Sequence, residues 1–313
     1  MHWRIKGSVQ KVLGVVPGGV HFHYVLQRRF GGLRQFEREV TIKSDDWEIM
    51  ATRLRESGFG IPGRRLFEIG TGWYPTFPFA CYLAGATRVT TVDLTRHLRR
   101  ELVVACADRL GSAIARIATA AQVDEAGVRA RHARLVAHLE HSTDLAAATD
   151  GVVVYAAPAD ATRTDLADDS VDCIFSNSVL EHVPPDAIAG MYREAMRILT
   201  PGGIMFHSVN CGDHYAYVDS NINALNYLRY SDRQWRLWDN AFLYQNRMRA
   251  HEFVERAQAG GFDIVLNTAR ATEQRLRQLA ETPVHAQFAA IPPERLCITT
   301  VDFIARKPER SSR

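Results

Sequence analysis

The residues best suited to chemistry in this chain are acids and histidines that follow short apolar runs. Carboxylates such as Glu68 and Asp93 can hold hydroxyl or cationic groups, and a histidine such as His182 can remove a proton near neutral pH. Each of the three closely follows an apolar or β-branched stretch, and the pattern predicts that buried strands deliver them to one edge of a sheet.

The first of these strands ends in a glycine loop. Leu66, Phe67 and Ile69 make a short apolar run, residues 70–72 read Gly-Thr-Gly, and residues 77–83 have a helical composition. A strand, a glycine turn and a helix form the nucleotide-binding start of a doubly wound α/β domain. The glycines let the backbone turn sharply and let a flat ligand approach closely.

This loop lacks the G-x-G-x-x-G pattern of dinucleotide-binding proteins. Pro75 occupies the third glycine position, and proline has no backbone N–H to donate to a pyrophosphate. Acidic Glu68 would repel a phosphate and attract a cation. These features favour an adenosine ligand without phosphates, and S-adenosylmethionine, with its sulfonium and amino group, has the matching charge pattern.

The second strand, residues 88–93, ends at Asp93, 21 positions beyond Gly72. An acid at this strand end accepts both ribose hydroxyl protons in adenosine-binding folds. The alternative role is a solvated helix cap. Asp93 by itself does not distinguish a methyl donor from NAD.

Composition and charge exclude several classes of protein. The 313 residues, 46% hydrophobic and 23% charged, suit one elaborated α/β domain. A net charge of +3 is too weak to indicate nucleic acid or an anionic membrane as a partner. The five cysteines never form C-x-x-C, which favours a reducing cytoplasm. No apolar run approaches the roughly 20 residues of a membrane-spanning helix.

Lysines are restricted to both ends of the sequence. Only Lys6, Lys11, Lys43 and Lys307 occur, so none lies within residues 44–306. This spacing argues against a Schiff-base lysine in the core, a P-loop lysine and a Tyr-x-x-x-Lys dehydrogenase pair.

The sequence predicts a separate N-terminal segment, followed by a main domain that contains two insertions. Residues 1–60 are predicted to be a helical N-terminal cap, with a helix over 45–57 that has Ser44 as its N-cap. Residues 61–313 then form the main domain. Within it, apolar periodicity predicts a helical insertion at 95–150, with one helix over 98–121 and a second over 123–145. An aromatic-rich insertion at 211–260 is expected to form either a lid over the acceptor or a helical segment packed on the sheet edge.

Several motifs together resemble the class I S-adenosylmethionine-dependent methyltransferases, of the type 11 and type 25 kinds. The match covers about half of the chain, Arg65 to Val209. The resemblance implies a Rossmann-like, doubly wound, mostly parallel seven-stranded sheet with a reversed last hairpin, whose final strands are 262–267 and 297–305. The matching motifs are E-I-G-T-G at 68–72, V-D-L at 92–94, A-D-A at 159–161, D-D-S-V-D at 168–172, S-N-S-V-L-E-H-V at 176–183 and L-T-P-G-G at 199–203.

The same resemblance assigns the cofactor, S-adenosyl-L-methionine, to specific positions. The glycine loop would contact its methionine half, Asp93 its ribose, Asp160 the adenine amino group and the Ala161 backbone N–H the adenine ring. This chain departs from many relatives at Pro75 and Trp73, which could reshape the methionine pocket. The complete predicted cofactor set is Glu68, Gly70, Thr71, Gly72, Asp93, Leu94, Asp160, Ala161 and Asn177.

Residues 207–214 bear a looser resemblance to a bacterial branch with an aspartate–histidine pair after the fifth strand. Members of that branch often belong to cell-surface glycan or secondary-metabolite pathways. The implied acceptor is a hydroxyl or amine of a small molecule, natural product or sugar. A hydroxyl acceptor needs a base, and the predicted catalytic residues, on loops beyond the fourth and fifth strands, are His182, His214, Glu181 and His207.

His182 is the preferred base, and His214 is second, with Asp213 as its orienting partner. The alternative for His182 is that it caps the helix beginning near Pro185. A metal cluster of His182, His207, Asp213 and His214 is conceivable, but its spacing matches no familiar ligand signature, so the prediction is no metal.

Other functions are disfavoured. The fourth strand ends in Ser176-Asn177-Ser178-Val179, without the Pro-Pro-aromatic sequence that grips a base amine, so nucleic acid is not the expected substrate. Neither a nucleic acid nor a membrane is an expected partner, and a homodimer is left open. The alternatives are a non-catalytic cofactor-binding subunit of the same fold and, behind it, an NAD-dependent oxidoreductase.

Overall fold

A computed structural model describes residues 2–15, 19–30, 32–240 and 242–309. Seven strands form one sheet, flanked on both faces by helices. The strands are β1 Arg65–Ile69, β2 Arg88–Val92, β3 Val153–Ala156, β4 Val171–Asn177, β5 Leu199–Asn210, β6 Asp263–Asn267 and β7 Thr300–Arg306.

The described helices fall into an N-terminal group, a group between β2 and β3, and helices that follow β1 and β4 or flank β6. They are α1 Trp3–Val15, α2 Gly19–Phe30, α3 Phe36–Glu56, α4 Thr76–Leu83, α5 Arg100–Leu110, α6 Ile114–Ala121, α7 Glu125–Leu139, α8 Leu145–Ala148, α9 Pro185–Ile198, α10 Asp232–Trp235, α11 Ala250–Ala259, α12 Glu273–Ala280 and α13 Pro293–Leu296.

The sheet has the order β3-β2-β1-β4-β5-β7-β6. The first five strands are parallel, whereas β7 runs antiparallel to both β5 and β6. The predicted doubly wound, mostly parallel seven-stranded sheet with a reversed last hairpin is therefore confirmed. The strand order reverses between β1 and β4, and in such sheets ligands bind beyond the carboxyl ends of the strands at this switch point.

Alternation along the strands separates two hydrophobic cores. Leu66 and Phe175 face the core built with α3 through α8, while Phe67 and Ile174 face the core built with α9 and α11. Neighbouring residues on a strand point to opposite faces, so each central strand contributes to both cores. This continuous burial explains why the strands read as apolar runs rather than as alternating patterns.

The N-terminal helix α3 begins well before its predicted start. Ser44 lies in its middle, buried, and its Oγ donates to the Val40 carbonyl at 2.8 Å, so the predicted N-cap role is wrong. Val40, Trp47 and Leu54 are all fully buried at helical spacing. The apolar stripe therefore starts ahead of the Asp45-Asp46 pair that resembled a helix beginning.

The stretch between β2 and β3 contains more helices than predicted. The single helix expected over 98–121 is divided at Gly111 into α5 and α6 by a short 3₁₀ segment. A Cβ on Gly111 would lie 3.0 Å from the His132 ring of α7, so the glycine permits this close approach. The predicted helix over 123–145 is likewise α7 followed by the separate, short α8.

Strand β5 includes the L-T-P-G-G motif, although proline and glycine at these positions are typical of a turn. Leu199 pairs with Val171 and Ile204 with Cys173, so extra residues bulge out between these two pairs. Gly202 at this bulge has a φ of +76°, which glycine adopts without a steric penalty. No helix among the described ranges is long and apolar enough to cross a membrane.

Candidate active site

A cavity of about 500 Å³ opens beyond the carboxyl ends of β1, β2 and β4. It lies at the switch point of the sheet, where a doubly wound fold places its ligand. Its lining residues are Lys43, Glu68, Ile69, Gly70, Thr71, Gly72, Trp73, Tyr74, Thr76, Phe77, Val92, Asp93, Leu94, His97, Ala159, Ala161, Asn177, Ser178, Val179, His182, Val183 and Met191.

The glycine loop is shaped by its own backbone and by Asp93. Gly70 has a φ of +86°, and a Cβ there would lie 2.5 Å from the Val179 side chain, so both conformation and space require glycine. Gly72 also has a positive φ, and its N–H donates to Asp93 Oδ2 at 3.0 Å. Asp93 thus ties the loop to the end of β2.

Glu68 lies at the floor of this loop, with only 5% of its surface exposed. Thr91 Oγ1 donates to Glu68 Oε2, and the Thr91 and Thr71 hydroxyls are 2.5 Å apart. Burial raises the pKa of Glu68 to about 8, although the hydrogen bond from Thr91 and the charge of Lys43 oppose the rise. The ligand-free protein therefore holds Glu68 protonated near pH 7.

Asp93 is well supplied with hydrogen bonds at the mouth of the cavity. Its second oxygen accepts from the Thr95 N–H at 3.1 Å, and the His97 ring nitrogen lies 3.9 Å away. Trp73 packs between His97, with ring centroids 4.6 Å apart, and Tyr24 of α2, at 5.5 Å. The bulk of Trp73 thus forms a wall of the cavity rather than filling the glycine loop.

Eight of the nine predicted cofactor positions line this one cavity, and Asp160 does not. Leu94 contributes a side chain that is 69% exposed, whereas Ala161 is buried. Asp160 is exposed, and its Oδ1 accepts from the Thr162 N–H at 2.8 Å. Contact between these residues and a cofactor stays a prediction, and for Asp160 the side chain would have to turn inwards.

Lys43 lies in the cavity wall, although the sequence had placed every lysine outside the core. Helix α3 brings Lys43 to Asn177 at the end of β4, where the ammonium donates to the amide oxygen. Its Nζ is also 3.9 Å from Asp46 Oδ2. The expectation that lysines lie only outside the core is therefore wrong for Lys43, which a helix distant in sequence brings to the cavity wall.

His182 lines the same cavity from the loop after β4. Its Nδ1 lies 2.7 Å from the Tyr244 carbonyl oxygen, which can only accept, so Nδ1 carries the proton and Nε2 keeps a lone pair. Burial lowers the pKa of His182, which keeps the ring neutral. Helix α9 begins at Pro185 with Pro184 as its N-cap and no side-chain cap, so the helix-cap alternative for His182 is wrong.

Glu181 and His214 complete a cluster with His182. His214 Nε2 is 4.0 Å from Glu181 Oε1, and the two histidine rings are 4.9 Å apart in an edge-to-face arrangement. Burial raises the pKa of Glu181 to about 8 and lowers that of His214 to about 3. The loops after β4 and β5 therefore converge, as predicted.

His207 and Asp213 do not join this cluster. His207 lies inside β5 rather than beyond it, is 1% exposed, and its Nδ1 is 2.7 Å from Ser176 Oγ, so its predicted place on a loop is wrong. Asp213 accepts from the Tyr215 N–H at 2.8 Å and from the Asn226 amide at 2.8 Å. Its carboxylate holds the backbone of the following segment instead of orienting His214.

The segment after β5 serves mainly as packing. Tyr215, Tyr227 and Trp235 are buried in the core on the α9 side, and Trp3 of α1 stacks against Trp235 at 5.9 Å. Tyr217 is the exception, since it is 73% exposed and its ring lies 5.4 Å from His214. Only a few of the described residues of this segment therefore contact the cluster of Glu181, His182 and His214.

Comparisons with known proteins identify one matching family. Residues 68–207, less than half of the chain, match a family described as "Methyltransferase domain". A search of proteins with curated functions finds no match.

Three solved structures illustrate the likeness in fold. An S-adenosylmethionine-dependent methyltransferase from Mesorhizobium loti is 18% identical, with a TM-score of 0.44 over 81% of this chain and 95% of the other. A putative one from Listeria monocytogenes is 13% identical, with a TM-score of 0.44 over 82% and 96%. A putative sarcosine dimethylglycine methyltransferase from Galdieria sulphuraria is 14% identical, with a TM-score of 0.45 over 87% and 88%.

Proposed function

The chain carries a class I S-adenosylmethionine-dependent methyltransferase domain, and from that premise we propose that it methylates a hydroxyl group of a small molecule, natural product or sugar. An amine is the second acceptor class. The observation that carries the proposal is that His182, with a free Nε2, lines the same cavity as the glycine loop and Asp93.

The proposed reaction is an in-line displacement. When bound, S-adenosylmethionine would supply an electrophilic methyl group and leave as the neutral thioether, because the acceptor oxygen would bond to the methyl carbon as the bond from that carbon to sulfur breaks. The hydroxyl proton passes to His182 Nε2, which is neutral and therefore able to accept it. The protein's main contribution is to align the two reactants and to exclude water, which can supply several kcal/mol.

The residues around the glycine loop would hold the cofactor. Lys43 supplies a positive charge on the cavity wall that suits the carboxylate of the methionine half, and the Glu68 carboxyl oxygens can accept from its amino group. Asp93 already accepts from Gly72 and Thr95, and each carboxylate oxygen has further lone-pair capacity for ribose hydroxyls. The alternatives of a non-catalytic subunit and an NAD-dependent enzyme have no comparable support from the cavity.

The test is methyl transfer from S-adenosylmethionine that carries a trideuterated methyl group. The protein is incubated with panels of phenols, sugars, aliphatic alcohols and amines, and products are identified by mass spectrometry. The expected product carries an intact trideuteromethyl group on oxygen. His182→Ala should abolish it, while His141→Ala, an exposed histidine outside the cavity, should not.

Two outcomes would overturn the proposal. If the protein binds S-adenosylhomocysteine but modifies no member of any panel, the non-catalytic alternative is favoured. If the label appears only on nitrogen or carbon, the hydroxyl acceptor is wrong while the methyltransferase activity stands.

A cytoplasmic location is proposed with this function because all five cysteines are free and buried in the folded chain.

A further inference from the structure

The cluster of Glu181, His182 and His214 contains polar atoms that have no hydrogen-bond partner. Glu181 Oε2 and His214 Nε2 are both buried, and neither contacts a donor or acceptor within the described chain. Glu181 is 2% exposed as a whole residue. Buried polar groups are nearly always paired, so two orphans in one cluster indicate that something binds there.

The three side chains offer one ligand atom each, and these atoms lie within 4.8 Å of one another. We propose that they bind a single divalent transition-metal ion, of the kind that accepts imidazole nitrogen and carboxylate oxygen together. Two histidines and one carboxylate with open positions form the ligand set of catalytic zinc and of non-haem iron(II).

The spacing fits an ion after a small adjustment. Bonds of about 2.0–2.1 Å in a tetrahedral arrangement put ligand atoms about 3.3 Å apart. His214 Nε2 and Glu181 Oε1 are 4.0 Å apart without an ion. Side-chain rotations can close this gap, since both residues lie in short 3₁₀ turns beyond strand ends rather than inside the sheet.

Residues 244–246 hold the ligands in place from outside the cluster. The Tyr244 carbonyl accepts from His182 Nδ1, which fixes the tautomer that leaves Nε2 free for a metal. Gln245 Oε1 accepts from the His214 N–H at 3.0 Å, and the Asn246 N–H donates to the Glu181 carbonyl at 2.9 Å. One short segment thus supports all three ligand residues, as outer-shell residues do in metal sites.

Glu181 is oriented by a further hydrogen bond. The Asn210 N–H, at the end of β5, donates to Glu181 Oε1 at 3.3 Å and leaves Oε2 unpaired. A structural glutamate would ordinarily use both oxygens. Oε1, which lies 4.0 Å from His214 Nε2, is thereby held in position, and within the described chain Oε2 is left available to an ion.

The inference deepens the proposed function and rests on it for the ion's role. An acceptor hydroxyl bound to an ion beside His182 would have a lowered pKa, because the positive charge stabilises the alkoxide. His182 would then serve as a ligand instead of the direct proton acceptor, and the hydroxyl proton would pass to a solvent water. Ion binding itself requires neither acceptor nor turnover, so it can be tested separately.

The experiment uses the full chain, purified without a histidine tag and stripped with a chelator. Zn²⁺ is titrated by calorimetry, and Co²⁺ binding is followed by visible d–d absorption. The expected result is one ion per chain, with affinity reduced at least 10-fold by Glu181→Gln and by His214→Gln. His141→Gln, which removes an exposed histidine elsewhere, should bind like the wild type.

Folding is checked by circular dichroism and by S-adenosylhomocysteine binding in each variant. Should one variant fail to fold, the other still decides the question, and bound Zn²⁺ should raise the wild-type Tm. Absence of ion binding, or equal affinity in the wild type and the cluster variants, would overturn the metal site. S-adenosylhomocysteine binding in that same wild-type sample would leave the proposed function standing, with His182 as a metal-free base.

Discussion

The two ends of the cavity are built in different ways. At the cofactor end, the glycine loop and Asp93 come from one strand–loop–helix–strand stretch, and Asp93 has both carboxylate oxygens hydrogen-bonded within it. At the proposed acceptor end, Glu181 and His182 come from the loop after β4 and His214 from the loop after β5. Of these three residues only His182 lines the cavity itself, and residues 244–246 hold all three. The Glu181 Oε2 and His214 Nε2 atoms have no hydrogen-bond partner in the part of the chain that the structure describes.

The difference shows how each end is prepared for its ligand. The cofactor end is complete as a backbone structure, because positive-φ glycines and the Asp93 hydrogen bonds define it without a ligand. The proposed acceptor end contains polar atoms that are buried and, among the described residues, unpaired, which is costly unless an ion or a substrate group binds. Substitutions at the two ends should therefore affect different measured quantities.

The largest effect is expected at the acceptor end. His182→Ala should reduce turnover by about 10² or more, whether His182 acts as base or as ligand, because either role is needed at the reacting oxygen. Affinity for S-adenosylhomocysteine should not change. Turnover that persists while the Tm falls would show that His182 is only structural.

A smaller effect, on ligand affinity rather than on turnover, is expected at the cofactor end. Asp93→Ala should weaken S-adenosylhomocysteine binding by about 1–3 kcal/mol, because it removes charge-assisted hydrogen bonds. It also frees the Gly72 N–H from its partner. Calorimetry against S-adenosylhomocysteine and NAD checks this, and unchanged affinity in the variant, or tighter binding of NAD, would contradict the assignment.

Lys43 lies in the cavity wall beside Asn177, and its removal should have a weaker effect than the substitution of Asp93. Lys43→Met should lower affinity for S-adenosylhomocysteine by about 1 kcal/mol, since the partly exposed ammonium would lose its bond to the ligand carboxylate. Methylthioadenosine, which lacks that carboxylate, should bind both proteins equally. Equal losses for the two ligands would assign Lys43 to the packing of Asn177 instead.

The smallest effect concerns Glu68 and pH in the ligand-free protein. The pKa of Glu68 is raised from its ordinary 4.5 to about 8, so the folded chain holds a proton that the unfolded chain releases. The resulting stability is present below about pH 4.5 and is lost as pH rises towards 8. The wild-type Tm should therefore fall more than that of Glu68→Gln between about pH 6 and pH 8, and parallel curves would contradict the shift.

The same contrast explains what the sequence could predict. The glycine loop and the strand ending at Asp93 were predictable because strand period, glycine conformation and turn chemistry are local properties. Convergence of the loops after β4 and β5 followed from the parallel topology. Lys43 was missed because its position depends on how α3 packs across the sheet, about 25 residues before the loop it faces.

His207 and Ser44 illustrate the limits of local patterns. Both lie inside longer elements than predicted, so a residue expected at an end was instead in the interior. The support of the cluster by residues 244–246 carries no sequence signal, because backbone carbonyls and amides contribute most of it. Which histidines meet was therefore fixed by tertiary packing.

We propose that one cavity holds the cofactor at the glycine loop and directs its methyl group towards His182, and thus towards the cluster of Glu181, His182 and His214. A crystal structure of the complex with S-adenosylmethionine measures this directly. The predicted distance from the methyl carbon to the nearest polar atom of the cluster is about 6 Å, room for one acceptor oxygen at attack and hydrogen-bond distances. A methyl group that faces away from the cluster, or lies beyond about twice that distance, would contradict the proposed placement of the cofactor.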